Sequence, residues 1–168
     1  MSFARRVFLG IFLVCAMLLG GAYYLEYYQG ADPCPLCYLQ RVFFALAGVM
    51  ALVACLHDPG RTATIIYASL LDLFGLAGAL VAGRQVWLQH LPPEQVPECG
   101  PGLEYMLEIY PFGDAIAKAL QGTGECAEAG WTLFGQSLAM WALGFFILIM
   151  AASMALVILS TRSRGSVG

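Results

Sequence analysis

Four stretches of the chain are long and apolar enough to be membrane-crossing helices. Residues 7–25 carry no charge over 19 positions, and residues 132–161 carry none over 30. Residues 42–56 are uncharged for 15 positions and reach span length only if the helix starts near Cys37; residues 63–83 are apolar apart from Asp72. A bilayer is crossed by about 20 such residues in a helix, and backbone groups in lipid must be satisfied within the segment. The alternation over segments of about ten residues that marks a transmembrane strand is missing. The pattern predicts an all-α fold, a polytopic membrane four-helix bundle forming one domain over 1–168. Its spans fall near 7–25, 38–56, 63–84 and 136–160. The segments near 26–37 and 89–131 then emerge on one side, the second as a long loop. In that loop Phe112, Ala115, Ile116, Ala119 and Leu120 recur at helical spacing and predict a short helix on the membrane surface. Gly75, Ala79 and Gly83 form a small-residue stripe suited to close helix packing.

Composition agrees with the pattern. The chain has 168 residues, 60% of them hydrophobic and 11% charged, where soluble domains have about 45–50% and about 25%. A soluble fold of this size cannot hide that much apolar surface. Soluble enzymes, nucleic-acid binders and disordered regulators are therefore excluded, and the lipid bilayer is the first partner. Arg5 and Arg6 before the first apolar run resemble the start of a secretory or twin-arginine signal. The run is longer than a signal core and three more spans follow, so it reads as a retained first span.

Charge sets the orientation. Arg5 and Arg6 precede span one, Arg61 sits in the turn between spans two and three, and Arg162 and Arg164 follow span four. The long loop has Lys118 against seven carboxylates: Glu94, Glu98, Glu104, Glu108, Asp114, Glu125 and Glu128. The positive-inside rule then predicts both termini in the cytoplasm and both loops on the opposite, outer side. Four of the six cysteines fall on that side: Cys34 and Cys37 at the start of span two, Cys99 and Cys126 in the long loop. Disulfides persist in such a compartment. Cys15 and Cys55 fall inside spans, where they read as inert packing thiols.

Pro33-Cys34-Pro35-Leu36-Cys37 has a physical logic. Proline suits a helix entry, and a Cys-x-x-Cys there brings two sulfurs within bonding distance. Unpaired backbone N–H groups and the positive end of the helix dipole favour thiolate and raise its reactivity. Arg41, four residues after Cys37, lies about one turn further along nearly the same face. An Arg at that depth must find a partner, reach the headgroups, or serve a ligand. The Cys pair alone is also compatible with a structural staple or half of a zinc site. Cys99 and Cys126 sit in polar, acidic, exposed-looking surroundings, compatible with a staple or an exchangeable disulfide. Their spacing is a poor match for the second half of a zinc site, and no βαβ pattern surrounds the motif as in a thioredoxin domain. Two disulfides beside a membrane suggest an electron relay: exchange passes two electrons from pair to pair, and a lipid-soluble quinone can take them.

The segment Cys34-Pro35-Leu36-Cys37-Tyr38-Leu39-Gln40-Arg41, the later loop cysteine pair and the four spans together resemble the DsbB family of inner-membrane disulfide-forming proteins. The resemblance covers nearly the whole chain. It implies an enzyme, a thiol:quinone oxidoreductase that reoxidises a periplasmic thioredoxin-fold dithiol oxidase of the DsbA type and passes the electrons to ubiquinone or menaquinone. It implies catalytic Cys34, Cys37, Cys99 and Cys126, with disulfides Cys34–Cys37 and Cys99–Cys126. Cys99 would form the mixed disulfide with the partner, Cys126 would attack Cys34, and Cys37 would be left as a thiolate facing the quinone held by Arg41. His90 resembles a histidine near the family's quinone pocket, though a lone interfacial histidine also suits a helix end. Arg84 reads as a headgroup anchor. Asp72, near mid-bilayer, would cost roughly 2.5–3.5 kcal/mol if charged and is expected to be neutral or hydrogen-bonded between helices. Three alternatives remain: a vitamin-K-epoxide-reductase-like protein, which generally places its loop cysteines before its Cys-x-x-Cys; a DsbB relative dedicated to one partner; and a non-catalytic, disulfide-stapled scaffold.

Overall fold

The computed structural model describes residues 2–98, 103–128 and 130–162. Among them, four helices are long and apolar enough to cross a membrane: α1 (Phe3–Gln29), α2 (Pro35–His57), α3 (Arg61–Gln89) and α7 (Leu138–Arg162). The fold is an all-α multi-pass bundle in which α1 packs on α2, α2 on α3, and α3 on α7. Between α3 and α7 lie a 3-10 turn (Pro93–Gln95), three short helices, α4 (Leu103–Ile109), α5 (Phe112–Gln121) and α6 (Gly124–Ala127), and a small hairpin. The expected loop helix is α5. It turns Ala115 and Ala119 inward and leaves Phe112 and Leu120 exposed.

The helices overrun the apolar stretches because a helix does not stop where its hydrophobicity does. The first continues through Tyr23, Tyr24, Tyr27 and Tyr28, all exposed and stacked in pairs four residues apart, the pattern of an interfacial aromatic belt. It ends at Gly30, whose φ of 65° gives the left-handed turn that closes a helix. Only residues 30–34 separate α1 from α2, and only residues 58–60 separate α2 from α3. These neighbours are therefore antiparallel. The last helix starts at Leu138, later than the uncharged run suggests, because Gln136–Ser137 pairs with Thr132–Leu133 around a turn in which Phe134 and Gly135 have φ of 53° and 78°.

The buried positions of α3 are Thr64, Ala68, Leu71, Gly75, Gly78, Ala82 and Gln85, with Val81 and Leu88 beside them. The alternating steps of four and three are those of a knobs-into-holes seam. Small residues let α7 come close: Phe146 lies over Gly78 and stacks on Phe44, ring centroids 3.9 Å apart. The stripe expected from steps of four is thus replaced at its far end. Gly78 makes the contact, whereas Gly83 faces open space. Cys15 is buried against Gly48 of α2, and Cys55 is buried in the same core. Of the two states expected for Asp72, neutral or hydrogen-bonded between helices, the second is not made by its buried Oδ1 among the described residues.

A Cβ at Gly78 would lie 2.3 Å from the Phe146 ring, and one at Gly75 would lie 2.7 Å from Met150 Cγ. A stacked ring cannot retreat, whereas a methionine chain can. Gly78→Ala should therefore destabilise the bundle by about 1–3 kcal/mol and Gly75→Ala by clearly less. Denaturant unfolding of the two variants in detergent measures this, and equal losses would contradict the seam described here.

Candidate functional site

The sulfurs meet where α2 begins. Cys34 is the N-cap of α2 in extended conformation, and Pro35 occupies the first helical position. The chain can enter a helix directly after Cys34 because proline is preset for that position and lacks the N–H that would go unpaired. Cys37 follows within the first turn, and Cys34 Sγ and Cys37 Sγ are 2.9 Å apart.

The third sulfur is delivered from the long loop. One turn of helix, α6, carries Cys126 into a cluster with Cys34, Leu36, Val81 and Leu88, where Cys126 is fully buried. Three contacts dock this turn. Gly122, at φ 80°, closes on Leu88, where a Cβ would lie 2.4 Å from Leu88 Cδ1. Arg84 Nη2 donates to Gln121 O at 3.0 Å. The Gly124 N–H donates to Glu98 O at 3.2 Å. Sequence reasoning expected Cys126 in exposed, acidic surroundings. Its neighbours Glu125 and Glu128 are charged, but the helical turn points the sulfur inward, away from them.

Cys34 hydrogen-bonds to Cys37 and shares one small buried cluster with Cys126, so the three sulfurs are gathered at the start of α2. Cys34, Cys37 and Cys126 are unbonded to one another in this structure, with the Cys34 and Cys37 sulfurs close enough to pair. Cys99, the expected partner of Cys126, lies outside the described residues. The sulfurs differ electrostatically. The Cys34 thiol, donating to Cys126, is held above the ordinary cysteine range, with Cys37 and burial adding to the effect. Cys126 is lowered to about 6, mainly by that same hydrogen bond, which outweighs its own burial. Backbone N–H groups of Thr123 and Leu36 and the Thr123 hydroxyl, 3.7 Å away, add to the lowering.

Two polar residues missed in the sequence complete the site. Gln85 of α3, 4% exposed, directs Nε2 at both sulfurs, 3.3 Å from Cys34 Sγ and 3.3 Å from Cys37 Sγ. Buried Gln40 of α2 donates through Nε2 to Gln85 Oε1 at 2.7 Å. The available signal was their position: each is an amide on a buried helix face that is otherwise apolar, apart from Thr64 at the far end of α3.

Arg41 and Cys37 lean to different neighbours. Four residues advance about 400°, so their directions differ by about 40°. Cys37 meets Gln85 of α3. Arg41 turns to α1, where it pairs with Glu26, donates to Ala22 O at 3.3 Å, and lies over the rings of Tyr23 and, on α2, Tyr38, at 5.0 and 5.6 Å. Glu26 was read as loop and is on α1 instead. His90 ends α3 with Nδ1 against Val86 O at 2.8 Å and is exposed, with no hydrogen bond to the sulfur cluster among the described residues. Arg84, beyond its contact with Gln121, stacks over Trp87 at 4.3 Å.

The lowered Cys126 gives docking of α6 a pH dependence. A thiol docked at about 6 and undocked at the ordinary value of about 8.5 favours docking fully above the higher value, and loses that contribution as pH falls through about 6. In the fully reduced protein, hydrogen-exchange protection at Cys126 and Ala127, corrected for intrinsic rates, should fall at least about tenfold from about pH 8 to about pH 6. Protection in Cys126→Ser should stay flat. A fall of equal size in both proteins would place its cause elsewhere.

The family model described as disulfide bond formation protein DsbB matches residues 4–156. The chain is 51% identical over 143 residues to disulfide bond formation protein B of Hahella chejuensis, covering 85% of this chain and 87% of that one. It is 52% identical over 139 residues to the protein of that name from Azoarcus sp., covering 83% of each. It is 44% identical over 143 residues to disulfide bond formation protein B 1 of Pseudomonas aeruginosa, covering 85% and 88%. With a Cys-x-x-Cys at a helix entry, a loop cysteine docked on it and four membrane-crossing helices, the chain belongs to the DsbB family of disulfide bond formation proteins.

Proposed function

We propose that this protein reoxidises a periplasmic thioredoxin-fold dithiol oxidase of the DsbA type and passes the electrons to a membrane quinone, with both termini cytoplasmic and the active cysteines periplasmic. The observation that carries this reading is the gathering of three sulfurs, in which Cys34 is hydrogen-bonded to Cys37 and shares a buried cluster with Cys126, and which allows the order Cys126, Cys34, Cys37. Thiol–disulfide exchange needs that order, with an attacking thiolate, a central sulfur and a leaving thiolate.

The steps balance as follows. In the oxidised protein a partner thiolate attacks Cys99 of the Cys99–Cys126 disulfide, releasing Cys126 as thiolate. The partner's second thiol displaces Cys99 and leaves with the new disulfide, so two electrons and two protons have entered the protein. Cys126, released as thiolate and favoured in that form by the Thr123 and Leu36 backbone N–H groups and the Thr123 hydroxyl, attacks Cys34 of the Cys34–Cys37 disulfide and expels Cys37 as thiolate. Cys99 then attacks Cys126, restoring the first disulfide and leaving Cys34 and Cys37 reduced. A quinone, when bound, accepts two electrons and two protons. Cys37, half-buried at the start of α2, and Arg41, flanked by the rings of Tyr23 and Tyr38, suit a flat head carrying two carbonyls. Glu26 and Ala22 take only part of the five-donor guanidinium.

Purified protein given a reduced thioredoxin-fold dithiol protein should reduce quinone. Cys34→Ser and Cys37→Ser should each abolish turnover, while Cys15→Ala with Cys55→Ala should keep it. Right-side-out membrane vesicles should oxidise the added partner and inverted ones should not. Turnover without Cys37, or turnover that depends on Cys15 or Cys55, would overturn the relay.

Arg41→Ala should raise the quinone KM at least about tenfold, since a hydrogen bond from a charged donor is worth about 1.5–3 kcal/mol. Arg41→Lys should recover only part, because it keeps the charge and loses the planar fork. The alanine variant also strands Glu26, so Arg41→Ala with Glu26→Gln serves as the stability control. An unchanged KM in that double variant returns Arg41 to a purely structural pairing with α1.

A further inference from the structure

We infer that Gln85 is a catalytic residue of the Cys34–Cys37 pair, an amide donor to the sulfur that becomes anionic, with Gln40 as the positioning residue that aims it. This rests on reading Cys34 and Cys37 as a redox pair and goes beyond it by naming what receives the charge.

A primary amide buried without adequate partners costs free energy, and Gln85 is 4% exposed on the packing seam of a membrane-crossing helix. The other polar residue of that seam, Thr64, satisfies itself locally by donating to Gly60 O at 3.1 Å. Gln85 is held against sulfur: Nε2 lies 3.3 Å from Cys34 Sγ and 3.3 Å from Cys37 Sγ. A thiol or disulfide sulfur is a weak acceptor, whereas a thiolate makes a charge-assisted bond about twice as strong as a neutral one. The amide is therefore poorly compensated when the sulfurs are neutral and well compensated once one is charged. An interaction that strengthens as charge develops is one that lowers a barrier.

Orientation follows from Gln40. Its Nε2 donates to Gln85 Oε1 at 2.7 Å. With Gln40 oriented this way, flipping the Gln85 amide alone would set two N–H groups against each other. Gln85 also serves the protonated state, since Oε1 lies 3.6 Å from Cys37 Sγ and can accept from its thiol. A neutral donor does this without a counter-ion, on the α3 side of Cys37, while Arg41 is engaged with Glu26 on the α1 side.

Removing the donor should therefore make the disulfide harder to reduce. In the titration, dithiothreitol is oxidised to its cyclic disulfide as Cys34–Cys37 takes up two electrons and becomes a dithiol in its equilibrium protonation state. The full-length protein is equilibrated with mixtures of reduced and oxidised dithiothreitol at about pH 8. Thiols are then trapped, and each cysteine pair is followed separately by peptide mass spectrometry. Gln85→Leu should require a reduced-to-oxidised ratio about tenfold higher at the Cys34–Cys37 midpoint, about 30 mV more negative. Gln85→Glu keeps the shape and the acceptor for Gln40, and should shift the same way because it replaces the donor with negative charge. Gln40→Leu, which leaves Gln85 intact but unaimed, should shift the same way by about threefold. Midpoints unchanged in both Gln85 variants overturn the proposal while leaving the redox pair in place. If the wild-type Cys34–Cys37 disulfide does not form at any ratio, the redox-pair reading itself falls.

Discussion

A side chain at residue 122 would collide with Leu88, and the candidate site depends on that one close approach. Gly122 ends α5 with a left-handed φ and lets the chain turn down onto the end of α3. Without the turn, α6 would not reach the start of α2 and Cys126 would remain in a solvated loop. With it, Leu36, Leu88 and Val81 surround the third sulfur in a small apolar cluster of its own. Its buried residues are distinct from those of the main core around Phe44 and Phe146, and the half-buried Phe43 packs against both. Loop docking thus adds a second apolar cluster at the end of the bundle, joined to the first through that ring.

The start of α2 is flanked by two different answers to buried polarity. Toward α1, Arg41 is neutralised by Glu26 and covered by aromatic rings. Toward α3, two amides bond each other and then the sulfurs. A charged pair resists rearrangement because breaking it strands a charge at membrane depth. The amide pair carries no charge and can follow the sulfurs through their protonation states. The half that binds sulfur is thus the adaptable half. Its two residues sit on helices already locked together by the small-residue seam, so the donor needs no loop to hold it.

The sequence by itself determined the four helices, the Cys-x-x-Cys at a helix entry and the short loop helix. Each rests on a local rule: apolar runs in lipid must be helical, proline opens a helix, and residues such as Ala115 and Ala119 repeat with its period. Arg41 was legible as a residue needing a partner, because the cost of a charge at depth does not depend on the fold. Tertiary structure alone decided which partner. Glu26 was hidden in what read as loop, since α1 runs on past its apolar stretch. The small-residue contact moved from Gly83 to Gly78 because the seam steps by four and three rather than by four alone. Cys126 was expected outside and is buried, because acidic neighbours report on their own exposure and not on the face a turn of helix presents. Gln40 and Gln85 carry no charge, and Gln40 stands in the Cys34–Arg41 segment without a role that the segment itself reveals. Their meaning appears only when two antiparallel helices bring residues 45 positions apart into one hydrogen bond and aim it at a pair of sulfurs.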